Sequence, residues 1–551
     1  MPTITLNKKV FEQLVGKELP LEELKDRISM LGTDLESIEG NEITVEIFPN
    51  RPDLLSVQGF ARAFSSFIGE KVGLKYYDIK SSGQKVIVEE SVKVVRPYTA
   101  CAIIKNINFD DEKIKEIIQI QEKLHITYGR NRKKMALGVY PMEKIGFPIT
   151  YKAEDPNKIK FQPLEANKEM TGLQILSQHK TGREFGHLLE GQDKFPIFVD
   201  NNNQVLSMPP IINSDNLGKI TEETKEVFIE CSGFDYEVLS KCLNMVVTAF
   251  AEMGGEIYSL ELDYPDSKKT SPDLTPEKMK LDLRYINKWL GLNLSEEEAK
   301  TQLEKMGYGY ENGIVMIPAY RSDILHQVDL AEDIAIAYGY ENFEETIPNV
   351  ATVAEEDPLE KFSKKIREIL VGLKLLEVKN YHLITKENLN EKMLLENEII
   401  PLKNALGEHN HLRNWILPSL LLNLKDNQHH EYPQNIFEIG RTFVSGDTET
   451  KVVETEHLGI TICHEKTDFT EVRQILAALM GSLGLEFSVK ETSHPSFILG
   501  RVGEIIIKDI IVGFIGELSP KVLNNWELVV PVVGMELDLE KLFEVLKENK
   551  K

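Results

Sequence analysis

The spacing of apolar and polar residues divides the chain into segments of different period. Near the start, apolar positions recur at helical spacing over residues 8–14 and 21–31 and alternate over 43–48, which predicts two helices and a strand. Residues 321–340, RSDILHQVDLAEDIAIAYGY, read as a turn followed by a helix that ends at Gly339, a residue type suited to the left-handed conformation beyond a helix end. Leu330, Ile334 and Ala337 share a face of that helix suited to burial, while Asp329, Glu332 and Asp333 share another. Residues 81–265 mix short β-like runs (VKVV, ACAIIKNI, MALGVY, EVFIECSGF) with helical ones. The region beyond 350 opens with an amphipathic helix, LEKFSKKIREILVGLKL, then alternates helices with long apolar strands. So few βαβ signals predict a mostly antiparallel sheet with helices on one face. The fold class is α+β, in several domains.

A repeat organises the first two thirds. Residues 50–69, NRPDLLSVQGFARAFSSFIG, match 320–339, YRSDILHQVDLAEDIAIAYG: Arg51 with Arg321, Asp53 with Asp323, Ala61 with Ala331 and Gly69 with Gly339. Upstream, Gly16 pairs with Gly291, Lys25 with Lys300 and Gly32 with Gly307. Two distant copies imply a duplicated helical and β module, too few for a solenoid. The predicted domains are a first module over 1–80, a central α+β domain over 81–265, a second module over 266–350 and a C-terminal region over 351–551. Residues near 80–90 read as a linker running into a strand, and the Pro-rich 263–276 as a linker.

Composition narrows the class. Of 551 residues, 42% are hydrophobic and 28% charged, the make-up of an ordinary globular protein. No run of eighteen apolar residues and no signal-peptide pattern occurs, so no membrane partner and a cytoplasmic location are expected. Cys101, Cys231, Cys242 and Cys463 lack metal-ligand spacing. A net charge of -24 argues against nonspecific coating of nucleic acid, though not against a local basic surface.

The repeat sorts the candidate chemistry. Arg and the first Asp stand in both copies and are expected to be structural, as a buried pair or a cap. The helix acids belong to the second copy alone, since the first has Gly59, Arg62 and Ala63 there. Asp323, Asp329, Glu332 and Asp333 are therefore either a solvated, capping face or hard oxygen ligands for magnesium. RNRKK, residues 130–134, is the densest basic run, and VLSMPPIINSDN places Asn213 and Ser214 in a loop after a rigid Pro-Pro turn.

NRPDLLSVQGFAR, GREFGHLLEGQDKFPIFVDNNNQVLSMPPIINS, YRSDILHQVDLAEDIAIAYGY and LRNWILPSLLLNLKDNQ followed by NIFEIGRTF occur in the order found in one family. Across its length the chain resembles the beta subunits of phenylalanyl-tRNA synthetases in their shorter archaeal and eukaryotic form. The resemblance implies an alpha-subunit partner in an alpha2beta2 heterotetramer, phenylalanine tRNA as a further partner, and ATP as a substrate of the complex. It implies Mg2+ held by Asp323, Asp329, Glu332 and Asp333. The central domain resembles an editing module that hydrolyses tyrosyl-tRNA, with Leu206, Asn213, Ser214 and Glu230 as pocket candidates and Arg130 or Lys133 near the tRNA. The C-terminal region resembles a class II synthetase core without the phosphate-binding arginines of that chemistry. Its Arg413 and Glu438 are expected to be structural or interfacial, with aminoacylation left to the alpha subunit. The rival reading is a non-catalytic scaffold subunit.

Overall fold

The computed structural model describes residues 2–350 and 354–548. It divides into two compact units, Met1–Ile347 and Pro348–Lys551.

The duplication is realised element by element. In the first module a strand, Thr3–Asn7, leads into helices Lys8–Val15 and Leu21–Met30, a hairpin of Asp34–Glu39 and Glu42–Glu46, and helix Val57–Phe67. The second repeats this as Glu277–Lys280, Leu283–Leu290, Glu296–Lys305, Gly309–Glu311, Ile314–Ile317 and Gln327–Tyr338. In both, the hairpin's second strand lies in the middle of a three-stranded antiparallel sheet. Equivalent residues do equivalent local work. Asn7 and Asp282 cap the first helix, and Gly16 and Gly291 end it at φ 89° and 67°, a conformation that a Cβ disfavours. The leading strand of each module escapes the sequence pattern because it is only four or five residues long.

The central domain is built on a ten-stranded sheet that recruits both supposed linkers. Ile79–Val88 pairs in parallel with Glu256–Asp263, and Lys268–Ser271 pairs antiparallel with that same strand. These segments are polar because they lie where one sheet face meets solvent, so composition alone made them look like connections. VKVV falls in a turn region after a 3-10 segment rather than in a strand. Helix Tyr236–Glu252 packs Leu239, Leu243, Val246 and Phe250 into one core with the modules, while Val86, Tyr140, Tyr151 and Phe228 form another on the opposite face.

The second unit carries a seven-stranded sheet, antiparallel throughout except for the short Leu376–Glu377 beside Gln434–Ser445. Helices Pro358–Gly372, Phe469–Leu483 and Leu539–Glu548 cover one face, packing on Phe437, Ile460 and Met535. The expectation of helices on one face alone is corrected: Leu417–Asp426 packs Leu420 and Leu424 on the other, against Ile436, Cys463 and Val532. Strand alternation explains this, since Ile436 and Phe437 point to opposite sides and both are apolar. Arg413 and Glu438 are fully buried there as an ion pair at 2.8 Å. Asn380 donates to Glu438 as well, and the Arg413 Nε donates to the Arg441 carbonyl. Gly440 leaves room for the guanidinium, because a Cβ there would collide with it. The pair is structural.

Candidate functional site

Strand Val227–Gly233 runs between Tyr98–Lys105 and Met135–Pro141 and is buried along its length. Alternation sends Ile229 and Cys231 into the core under helix Tyr236–Glu252, and turns Phe228 and Glu230 to the other face. Opposite Glu230 in register stands Gly138, where a Cβ would collide with both the Tyr140 hydroxyl and the Glu230 carboxyl. The carboxyl therefore lies across bare backbone. The Tyr140 hydroxyl stands 3.1 Å from Glu230 Oε1 and 3.1 Å from Asn213 Oδ1. Tyr140 is the donor toward both, and its one proton serves Glu230 or Asn213 at a time. Burial pushes the Glu230 carboxyl up to about 8, against the opposing pull of the hydrogen bond donated by Tyr140 and of the Arg96 charge. Glu230 Oε2 is buried with no hydrogen-bond partner among the described residues.

Glu230 and Asn213 border a cavity of about 370 Å³, whose wall also includes Arg132, His125, His179 and the Pro209–Pro210 turn. Asn213 is carried on a hairpin of Val205–Met208 and Ile212–Asn213. His125 is kept neutral, its pKa lowered to about 3 by burial and by Arg132 and Arg96, and its ring accepts the Leu137 N–H at 2.8 Å. Arg132 donates to the carbonyls of Pro210 and Ile211 and stacks over Phe185 at 4.3 Å. Its Nε is buried without a partner among the described residues. Arg130, Asn131 and Arg132 are all left-handed, at φ 49°, 53° and 64°. Three successive side chains in that region cost about 1–2 kcal/mol each, strain that the turn bears in delivering Arg132 to the wall.

The cavity brings together Asn213 and Glu230 of the four predicted pocket residues. Leu206 is fully buried in the core beneath, and Ser214 caps the short helix Asp215–Gly218 by accepting the Leu217 N–H. Arg130 and Lys133 are exposed and stand off the wall, which their neighbour Arg132 occupies instead. Arg132, Tyr140 and Gly138 were missed. A glycine inside the β run MALGVY was the available signal, since it marks close approach of another group.

The acids of the second module are neighbours with separate commitments. Arg321, 2% exposed, grips Asp323 through Nε and Nη2 at 2.8 and 2.7 Å, and its Nη2 also donates to Asp333 at 2.8 Å. The buried Tyr308 hydroxyl donates to the same Asp333 oxygen. Asp329 Oδ2 accepts the backbone N–H of Leu325 and His326, both at 2.7 Å, as the return half of a capping box. Glu332 is exposed, and its pKa is raised by desolvation and by the charges of Asp333, Asp329 and Asp323. No group of three or more His, Cys, Asp or Glu among the described residues is arranged to hold a metal ion. The acids do not fit the magnesium reading: a guanidinium supplies the compensating positive charge, and a helix end takes up Asp329.

A model of the phenylalanyl tRNA synthetase beta chain CLM domain matches residues 343–539, and one of the tRNA synthetase B5 domain matches 279–340. The chain is 40% identical over 556 residues to a Thermococcus sibiricus phenylalanine–tRNA ligase beta subunit, covering 99% of each. It is likewise 40% identical to the Archaeoglobus fulgidus beta subunit over 553 residues, again covering 99% of both. A solved N-terminal fragment of the Pyrococcus horikoshii phenylalanyl-tRNA synthetase beta subunit superposes with a TM-score of 0.59 at 39% identity, covering 61% of this chain and 99% of the fragment. Among the described residues no helix is long and apolar enough to cross a membrane. On full-length similarity and on both domain matches, the chain belongs to the phenylalanyl-tRNA synthetase beta-subunit family.

Proposed function

We propose that this chain assembles with an alpha subunit that attaches phenylalanine to its tRNA with ATP, and that its central cavity hydrolyses tyrosyl-tRNA formed in error. ATP and magnesium belong in this reading to the partner's adenylation chemistry, and no step here runs through them. The resemblance of the second unit to a class II core, and an alpha2beta2 assembly in the cytoplasm, are parts of the same proposal.

The unpartnered Oε2 of a neutral, buried Glu230 carries the editing reading. Phenylalanine and tyrosine differ by one hydroxyl, which an apolar pocket rejects only about a hundredfold. A site that pairs the hydroxyl works the other way. A phenol donating to Oε2 satisfies the orphan acceptor, whereas a phenylalanyl side chain leaves it unpaired, a penalty that can reach 10⁴–10⁵ in selectivity. With its proton held at neutral pH, Glu230 reads the side chain rather than serving as general base, and water activated by the terminal ribose hydroxyls remains the hydrolytic route.

The test is deacylation of tyrosyl- and phenylalanyl-tRNA by the assembled complex. Glu230→Ala is expected to slow tyrosyl-tRNA hydrolysis by about 10²-fold or more while charging with phenylalanine continues, and Glu230→Gln, still a hydrogen-bonding group, to retain part of the rate. A wild-type complex that charges phenylalanine but leaves tyrosyl-tRNA intact would establish the scaffold alternative.

A further inference from the structure

A second cavity, of about 230 Å³, lies where the two modules meet the end of helix Tyr236–Glu252. Five cationic side chains line it: Arg51, Arg62, Lys71, Lys75 and Arg321. Their acidic partners are four. Asp53 takes Arg51, Glu252 takes Lys75 at 2.7 Å and lies 3.9 Å from Arg62, and Asp323 with Asp333 takes Arg321. One positive charge is left over. Among the described residues Lys71 is the side chain without an acid, its ammonium donating to the Leu14 carbonyl at 2.7 Å.

The donors are also incompletely used. Arg321 is 2% exposed, yet its Nη1 has no hydrogen-bond partner among the described residues. Arg62 is fixed by stacking on Tyr320 at 3.8 Å and by a bond from Nη1 to the Tyr77 hydroxyl. Rigid, preoriented guanidinium groups with an unpaired N–H and a surplus charge are the chemistry that recognises oxyanions. The volume falls below that of pockets that take drug-sized molecules, which restricts the ligand to the size of an inorganic ion.

We propose that this cavity binds a small tetrahedral oxyanion of the phosphate type, held jointly by Arg321 of the second module and by Arg62 and Lys71 of the first. Such an ion joins the two repeats, so its binding stabilises the first unit without touching the editing cavity. The proposal does not depend on the functional reading above.

Calorimetric titration of the full-length chain with inorganic phosphate, in chloride of matched ionic strength, tests it. One phosphate per chain is expected, displaced by sulfate, together with a rise in Tm that chloride does not reproduce. Lys71→Met removes the surplus charge at an exposed position and is expected to weaken binding about tenfold, as loss of one charge-assisted contact does. Ala63→Phe fills the cavity, whose wall includes Ala63, without altering charge and is expected to abolish binding. No heat with wild type, displacement by chloride as effective as by sulfate, or unchanged affinity in Lys71→Met would each overturn the proposal.

Discussion

The two modules share a backbone plan and differ in what one helix face does. In both, an arginine grips an aspartate two residues on through Nε and Nη2, at 2.9 and 2.9 Å in the first copy and 2.8 and 2.7 Å in the second. Beyond that shared fork the copies diverge at three helix positions. Gly59, where the second copy has Asp329, lets the first helix press against the Asp53 carbonyl. Arg62, in place of Glu332, reaches across to stack on Tyr320 of the other module. Ala63, in place of Asp333, leaves space at the junction cavity. A duplicated frame thus yields a close-packed copy that donates cations to the junction and an acid-rich copy that accepts one.

The largest separation between copies is expected from the arginines. Arg321→Ala strands two carboxylates, Asp323 and the buried Asp333, the latter left with the Tyr308 hydroxyl alone. Breaking such a buried network costs about 3–5 kcal/mol. Arg51→Ala strands Asp53 alone, with Arg51 itself the less enclosed of the two arginines, and is expected to cost less. Urea unfolding followed by a probe in the first unit measures both. Equal losses would show that Asp333 contributes nothing beyond the shared pair.

A smaller effect separates the helix starts. Gly59→Ala drives a methyl into the Asp53 carbonyl, an overpacking cost of roughly 1–3 kcal/mol. Asp329→Ala at the matching position removes two backbone contacts at the helix start and is expected to cost about 1 kcal/mol, the usual value of a cap. A thermal shift larger for Asp329→Ala than for Gly59→Ala would reverse this ordering and make Asp329 more than a cap.

Much of this frame was legible because local rules write it. Gly339 marked a helix end, the repeat paired Gly16 with Gly291, both of which end helices, and it identified Arg51–Asp53 and Arg321–Asp323 as structural. Of strand 79–88 only the apolar end was legible, and strand 268–271 was not, since their pairing is decided by neighbours far away in sequence. The central cavity was half legible. Asn213 stood in a loop after the Pro-Pro turn and Glu230 came from the family resemblance, but Arg132 reaches the wall only through a left-handed turn that the run RNRKK does not disclose. For the acids of the second copy, helical spacing reports that they are near one another, not that Arg321 pairs with two of them.

Glu332 gives the smallest effect and the sharpest sign. Desolvation and the charges of Asp333, Asp329 and Asp323 raise its pKa, so the folded state holds a proton that the unfolded chain releases near pH 4.5. Its ionisation therefore opposes folding, and the cost appears as pH rises through the window above 4.5. In the first copy Asp53 runs the other way. Burial is its largest influence, but the Arg51 and Arg321 charges overcome it and lower the pKa, so its stabilisation is present above the unfolded value of 3.8 and is lost as pH falls. Glu332→Gln should accordingly raise Tm slightly at pH 7, by relief of about a few tenths of a kcal/mol of like-charge repulsion, and leave it unchanged at pH 4. A magnesium ion bound among these acids reverses that sign, since the substitution then removes a ligand. Melting wild type and Glu332→Gln at pH 7, each with magnesium and with chelator, distinguishes the cases: a gain indifferent to magnesium assigns the cluster to Arg321 and the helix cap, and a magnesium-dependent loss assigns it to the metal.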